Sequence, residues 1–215
     1  MRTLYLDTSS SFLYTGIVDD EKIIVEKKEK LDKDLSKFAL QKISQMFEEN
    51  NISSEEIDKI VVVNGPGSFT GVRIGLTIAK TFAWAKNIPI IPISSLEAMA
   101  LSNKKENYKY LVPAIDARRN YVFASIYDNE NNSFVMNEQY INLTTLEAAL
   151  DNMPNNISYI SNDSLNVKYS ITKYEPDIKL IVDTVKDRKA VNPHSIDANY
   201  LKLTEAEENN DNRIS

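Results

Sequence analysis

This sequence predicts an α/β fold made of two similar halves, the second of which is reduced. Short apolar runs that end in an aspartate occur twice, at residues 4–7 and at residues 111–116. Each run is followed by a turn and two further strand-like segments, which predicts an antiparallel meander. After the first meander the apolar period changes from two to 3.6, which indicates helices between the later strands. Meanders extended by alternating helices and strands are typical of mixed α/β sheets.

The first half is assigned to residues 1–102, and a charged linker at 103–107 opens a smaller second half, residues 103–215. In the first half the pattern predicts three strands, a long helix, a strand, a helix, a strand and a short helix. Their ranges are 4–7, 12–18, 23–26, 31–50, 60–63, 72–86, 88–93 and 96–101. Capping boxes formed by Ser53 with Glu56 and by Ser94 with Glu97 predict a helical turn and the start of the last helix.

The second half repeats the meander, with strands expected at 111–116, 121–127 and 133–141. A capping box of Thr144 and Glu147 predicts a helix after them. Strands are expected at 157–160 and 178–182, and the acidic tail at 205–211 is expected to fray. This order is that of a duplicated ribonuclease H-like fold, the two-lobe fold of the actin, hexokinase and Hsp70 superfamily. In that fold the two strand-end carboxylates face each other across a cleft.

Composition excludes several classes of protein. The chain has 215 residues, a formal net charge of −6, no cysteine and one histidine, His194. Disulfides, thiolate metal sites and sites built from several histidines are therefore excluded, and no bound metal is expected. No apolar run reaches the roughly 18 residues of a membrane span and no signal-peptide pattern is found, so we expect a cytoplasmic protein without membrane contact. Because clustered Lys and Arg provide affinity for phosphate backbones, an RNA substrate would require a basic partner.

A glycine-rich stretch at residues 65–75 contains four of the five glycines in the chain. It lies between a β-branched run and a helix, where backbone N–H groups can cradle an anion. Its spacing fits neither the P-loop nor the dinucleotide fingerprint, and a tight structural turn is the alternative. A hairpin with local ion pairs is the alternative at the second aspartate. The candidate nucleotide or anion site comprises Asp7, Thr8, Ser9, Gly65, Gly67, Ser68, Asp116 and Arg118.

The helix after this turn has glycine or alanine at four positions spaced four residues apart. Such a ridge has little side-chain bulk and permits close packing. It packs either on the chain's own sheet or on another protein, and both alternatives stay open. For the second alternative, the expected partner interface comprises Leu35, Ala39, Gly71, Arg73, Gly75, Ala79 and Ala83.

Five segments of the chain resemble the bacterial TsaB family, also called YeaZ. They are LDTS at 6–9, GPGSFTGVRIG at 65–75, SSLEA at 94–98, DARR at 116–119 and YLK at 200–202. The resemblance implies a non-catalytic subunit in the synthesis of threonylcarbamoyladenosine, the modified adenosine beside the tRNA anticodon. It also implies the partners of that subunit: the catalytic paralogue TsaD, the small ATPase TsaE, tRNA through the complex alone, and a second copy of the chain when isolated.

The resemblance implies no catalytic residue here and no cofactor in isolation, with ATP or ADP held only at the interface of the complex. The catalytic relatives carry two metal-binding histidines on the first long helix, and the helix expected at 31–50 has none. Many family members have a histidine near the start of that helix, which residues 33–38 lack here. A small-molecule kinase or nucleotide hydrolase, with Asp7 as base or Mg²⁺ ligand, is the alternative function. A glycoprotease lacks support because no Ser/His/Asp set is available.

Overall fold

The computed structural model describes residues 1–104, 107–154 and 156–202. In the first lobe, five strands form a mixed sheet, and one helix follows each of the last three strands in the chain. The strands are β1 (Thr3–Asp7), β2 (Phe12–Val18), β3 (Ile23–Lys30), β4 (Lys59–Val63) and β5 (Ile90–Ile93). The helices are α1 (Leu35–Glu49), α2 (Phe69–Lys86) and α3 (Ser95–Ser102).

The second lobe contains another five-stranded sheet. Its strands are β6 (Tyr110–Asp116), β7 (Tyr121–Asp128), β8 (Ser133–Asn142), β9 (Ile157–Ile160) and β10 (Ser170–Thr172), and helix α4 (Leu143–Leu150) lies between β8 and β9. The first sheet has the order β3-β2-β1-β4-β5, and the second has the order β10-β9-β6-β7-β8, which is the same order read from the opposite edge. In both, the first three strands in sequence are antiparallel and the last two run parallel to the central strand. The predicted duplicated ribonuclease H-like fold is confirmed.

The described part of the second lobe lacks one helix that the first lobe has. Helix α4 follows its meander as α1 follows the first, but no counterpart of α2 connects β9 to β10. Residues 161–169, all described, form a loop there instead.

Helix α3 lies between the two sheets, and its sequence explains why. Leu96, Met99 and Ala100 pack with residues of the second sheet, whereas Ala98 and Leu101 join the core beneath the first sheet. A helix that is apolar around most of its circumference is buried on all sides. Helices α1 and α2 cover the opposite face of the first sheet.

The prediction of a strand at 178–182 is wrong. The structure forms helix α5 (Ile178–Val185) there, and the Asp177 side chain accepts a hydrogen bond from the Leu180 N–H at 2.9 Å. The buried positions Ile178, Ile181, Val182 and Val185 have the i, i+3, i+4, i+7 spacing of one helical face. The short strand β10 supplies the fifth strand of the second sheet and was not anticipated.

Helix α5 also changes the assignment of the lobes. It packs under the first sheet with Tyr5 and Tyr14, and Ile178 approaches Gly16, whose missing side chain leaves room for it. The chain therefore returns to the first lobe after β10, although residues 103–215 were all assigned to the second.

Helix starts differ in smaller ways from the sequence-based ranges. The capping box of Ser53 and Glu56 is present. Ser94 caps α3, and Ser68 caps α2, which begins three residues earlier than expected. The prediction of a capping box formed by Thr144 and Glu147 is wrong. Asn142 is the N-cap of α4, and its side chain accepts a hydrogen bond from the Thr144 N–H. Residues 105 and 106 of the expected linker and the whole tail at 205–211 lie outside the described residues.

Candidate functional site

The carboxyl ends of β1 and β6 open into one cleft of about 840 Å³ between the lobes. Six of the eight residues predicted for a nucleotide or anion site line it: Asp7, Ser9, Gly67, Ser68, Asp116 and Arg118. Thr8 and Gly65 do not line it, since Thr8 is fully buried and Gly65 faces Val72 and the Asn199 carbonyl. The duplicated topology therefore brings the two strand-end aspartates to the same cavity.

Asp7 is a buried carboxylate at the floor of the cleft, 2% exposed. One carboxylate oxygen accepts a hydrogen bond from the Ser9 N–H at 2.8 Å. Burial raises the pKa of the Asp7 carboxyl above its ordinary value of 3.8, and the bonds from Ser9 act in the opposite direction. No ion pair involves Asp7 among the described residues.

The glycine-rich turn packs directly on the turn after β1. The Ser68 N–H donates to the Ser9 carbonyl at 2.7 Å, and the Thr8 hydroxyl donates to the Gly71 carbonyl at 2.7 Å. A Cβ added at Gly67 would lie within 3.0 Å of the Ser9 carbonyl oxygen. The space that these glycines leave is thus filled by the chain itself.

Two N–H groups of this turn are already bonded within the chain and are not free to bind a phosphate. The Ser68 N–H already bonds to Ser9, and the Gly71 N–H donates to the Ser68 hydroxyl at 3.2 Å. Of the two interpretations of the glycine-rich turn, close structural packing is the one that its contacts support. We therefore derive no reaction through a nucleotide in this cleft.

The opposite wall is the hairpin between β6 and β7. Arg118, Arg119 and Asn120 all have positive φ, between 54° and 67°, which is uncommon for three successive residues other than glycine. The Asp116 carboxylate accepts from the Arg118 N–H at 2.9 Å, and no ion pair joins it to either arginine in the described chain. Two backbone bonds, from Ala117 to Tyr121 and from Tyr121 to Arg118, complete the hairpin, and the predicted local ion pairs are absent among the described residues.

Sequence reasoning missed three residues of this wall. The Asp163 carboxylate accepts from the Asp116 N–H at 2.8 Å, and the Asn162 amide bonds to both backbone groups of Tyr174. All three line the cleft. They lie in the loop that replaces the missing helix and in the segment after β10, where only polar turn residues signal a structure.

The small-residue ridge of α2 faces the chain's own sheet. A Cβ at Gly71 would lie within 3.0 Å of the Thr8 carbonyl oxygen, and one at Gly75 would lie equally close to the Thr8 hydroxyl. Six of the seven predicted interface residues are buried in the monomer, so their side chains are not exposed for direct contact with a partner: Leu35, Ala39, Gly71, Gly75, Ala79 and Ala83. Arg73 is exposed and remains available.

An exposed groove lies beside this ridge, between α1 and α2. This α1/α2 groove has a volume of about 470 Å³ and is lined by Ser36, Leu40, Phe69, Thr70, Arg73, Ile74, Thr77 and Ile78. Leu40 is 64% exposed and Phe69 is 51% exposed, although both are large and apolar. The groove presents one charged residue, Arg73, in an otherwise neutral lining.

Residues 193–202, the C-terminal segment, contact the groove and both lobes. The Tyr200 hydroxyl accepts from the Arg73 guanidinium at 2.7 Å, and its ring lies 5.6 Å from that of Phe69. The Asn199 N–H donates to the Asn64 carbonyl at 2.8 Å, and its amide donates to Glu138 on β8 at 3.0 Å. This segment therefore contacts α2, the residue before the glycine-rich turn and the second sheet.

Two kinds of feature are absent from the described residues. They contain no group of three or more His, Cys, Asp or Glu side chains placed to hold a metal ion. None of the helices in those ranges is long and apolar enough to cross a membrane.

Comparison with known proteins assigns the chain to a family. A family model described as "TsaD: tRNA N6-adenosine threonylcarbamoyltransferase" matches residues 27–186. The tRNA threonylcarbamoyladenosine biosynthesis protein TsaB of Bacillus subtilis is 30% identical over 96% of this chain and 96% of its own length. The chain belongs to the TsaB/YeaZ family.

Other members of the TsaB/YeaZ family agree with this assignment. A TsaB protein of Haemophilus influenzae is 39% identical over 42% of this chain and 39% of its own. The structure of YeaZ from Pseudomonas aeruginosa matches with a TM-score of 0.72 at 17% identity, over 91% of this chain and 98% of that one, which shows the same fold. The resemblance found in the five sequence segments is confirmed.

Proposed function

We propose that this TsaB-family chain is a non-catalytic subunit that activates a TsaD-type threonylcarbamoyltransferase acting on tRNA. The observation that carries the proposal is the exposed apolar α1/α2 groove. The exposed Leu40 and Phe69 side chains both line it, and exposed apolar surface of this kind marks an interaction site. Burying a leucine or phenylalanine side chain stabilises a complex by about 1.5–3 kcal/mol each.

The partner is a protein related to this one. The family model that matches residues 27–186 is described as a threonylcarbamoyltransferase, so the transferase and this chain share a fold. Two related subunits that place equivalent helix pairs against each other would bury both exposed grooves in one interface. The same geometry would permit a homodimer of the isolated chain.

The remaining partners follow from the same assignment. The ATPase TsaE and tRNA join through the complex, since a chain with a net charge of −6 is poorly suited to hold a phosphate backbone alone. Any ATP or ADP would bind at the interface of the complex. Activation would arise if docking favours a competent arrangement of the transferase lobes, a population shift that requires differential binding of a few kcal/mol.

The experiment is transfer of labelled threonine into tRNA by the reconstituted components, each omitted in turn. We expect no transfer by this chain alone and a substantially higher rate when it is added to the transferase and the ATPase. Equal rates with and without the chain would refute the accessory role. Transfer by the chain alone would refute the non-catalytic role.

Two matched variants locate the interface. Leu40→Asp places a charge in the α1/α2 groove and should remove the stimulation. Val135→Asp makes the same kind of change at a residue that is 56% exposed on β8, in the other lobe, and should leave the stimulation within about twofold. Both sites are exposed, so both variants should fold. Equal losses in the two variants would contradict docking through the groove.

A further inference from the structure

Arg73 in the α1/α2 groove is held in one orientation by two aromatic residues. Its guanidinium carbon lies 3.7 Å from the centre of the Phe69 ring, and its Nε–H donates to the Tyr200 hydroxyl at 2.7 Å. The two rings are 5.6 Å apart, so the three side chains form one cluster, the Arg73 anchor. Stacking of an arginine on an aromatic face combines cation–π and packing contributions.

The anchor presents unused hydrogen-bond donors. A guanidinium has five N–H donors in a fixed fork, and among the described residues one of them is in use, in the bond to Tyr200. Arg73 takes part in no ion pair among the described residues. An arginine that is already immobilised loses less conformational entropy when it binds an anion than a free surface arginine does.

We propose that the Arg73 anchor binds a carboxylate of the partner subunit, an Asp or Glu that lies among apolar residues of the partner's docking helices. This proposal rests on the proposed function and adds the chemistry that the partner must supply. A carboxylate matches the guanidinium fork with two parallel hydrogen bonds. A protein carboxylate fits better than an RNA phosphate, because the lining around Arg73 includes exposed Leu40 and the apolar residues Ile74 and Ile78.

Tyr200 makes this contact depend on the C-terminal segment. Its neighbour Asn199 bonds to the Asn64 carbonyl beside the glycine-rich turn and to Glu138 of the second sheet. The position of Tyr200 is therefore fixed by both lobes. Removing its hydroxyl should loosen Arg73 without changing the charge or the shape of the groove.

The test is calorimetric titration of this chain with the purified transferase subunit at low and high salt. We expect Arg73→Glu to weaken binding about 100-fold and Arg73→Lys about 10-fold, because lysine keeps the charge and loses the fork. Tyr200→Phe should weaken binding several-fold. Lys22→Glu is the matched charge reversal on an exposed residue of the β2–β3 turn, and it should bind like the wild type.

A reciprocal change identifies the carboxylate. Each acidic residue on the docking helices of the transferase is changed to lysine and titrated against Arg73→Glu. One of these variants should restore binding at least 10-fold while weakening its binding to the wild-type chain. Circular dichroism melting confirms that each variant is folded, as expected for an exposed residue.

The outcomes separate this proposal from the proposed function. Failure of the wild-type chain to bind the transferase would refute both. Wild-type binding together with a loss of less than threefold in Arg73→Glu would refute the anchor alone. A complex that forms normally with Arg73→Glu but binds tRNA more weakly would assign the anchor to RNA phosphate and overturn the proposal.

Discussion

Replacing Gly75 by alanine tests the close packing of α2 on the turn after β1. The new Cβ would lie within 3.0 Å of the Thr8 hydroxyl oxygen, a distance that real Cβ atoms essentially never show. Thr8 is fully buried and its hydroxyl donates to the Gly71 carbonyl at 2.7 Å. The β-branched side chain has little freedom to turn away, since rotation breaks that bond and brings the methyl group toward the same space.

The expected magnitude follows from two opposing contributions. Overpacking of a core costs about 3 kcal/mol at the upper end of its usual range. Replacing a glycine inside a helix by alanine stabilises it by about 1 kcal/mol. Gly75→Ala should therefore lower the free energy of unfolding by about 2 kcal/mol, and the melting temperature by about 4–8 °C for a chain of this size.

A second substitution isolates the cause. Thr8→Ala alone should cost about 1 kcal/mol through the lost hydrogen bond, but it removes the atom with which the Gly75 Cβ collides. In that background Gly75→Ala should be neutral or stabilising by up to about 1 kcal/mol, which gives a coupling of about 2–3 kcal/mol between the two sites. Gly71→Ala should not be rescued, because its Cβ meets the backbone oxygen of residue 8.

The assay is urea unfolding of the single and double variants, followed by circular dichroism. If Gly75→Ala is as stable as the wild type, or costs the same with and without the Thr8 side chain, the packing argument is refuted. Rescue of Gly71→Ala by Thr8→Ala would equally contradict the geometry, since the alanine at position 8 keeps its carbonyl.

Three further outcomes are expected. Ala79→Arg should unfold the chain because Ala79 is fully buried. Thr77 is exposed in the groove, so Thr77→Arg should leave a folded monomer that no longer binds the transferase. Circular dichroism with light scattering separates these results. Asp7→Asn should raise the free energy of unfolding at pH 7, since burial raises the pKa of the Asp7 carboxyl above 3.8 and disfavours its ionised form in the folded state. That gain should shrink as the pH falls through the folded pKa and vanish near pH 3.8, and a constant gain from pH 7 to pH 4 would contradict burial as its cause. The isolated chain should bind ATP no more tightly than about 1 mM by calorimetry, and a micromolar constant would favour the kinase or hydrolase alternative.

The elements that the sequence predicts well are those whose local pattern and tertiary setting agree. Strands β1 and β6 end in aspartate and are bounded by turns, so their pairing into two similar sheets follows from chain order. Helix α5 shows the opposite case. A run of five residues in which three are β-branched is compatible with a strand or with a buried helix. The Asp177 cap and the later Val185 decide between them only when a longer window is read.

The candidate site was harder to predict, because the sequence does not show which surfaces of helix α2 are buried by the chain itself and which are exposed. The ridge of small residues on α2 indicates close packing, but the sequence does not say whether the chain or a partner supplies the other surface. Thr8 supplies it, 67 positions before Gly75 in the chain. The groove residues Leu40 and Phe69 look like ordinary core positions in the sequence, and their exposure is visible only once the sheet is in place.

The reduction of the second lobe has a consequence for assembly. The α1/α2 groove exists because two helices pack side by side on the outer face of the first sheet, and residues 161–169 of the second lobe form a loop where the second of such helices would lie. The described part of the second lobe therefore offers no equivalent groove to a partner. If the homodimer and the complex with the transferase both use the α1/α2 groove, one copy of the chain cannot join both at once. Addition of the transferase should then dissociate the homodimer in proportion to the complex that forms, because the two equilibria draw on the same free monomer.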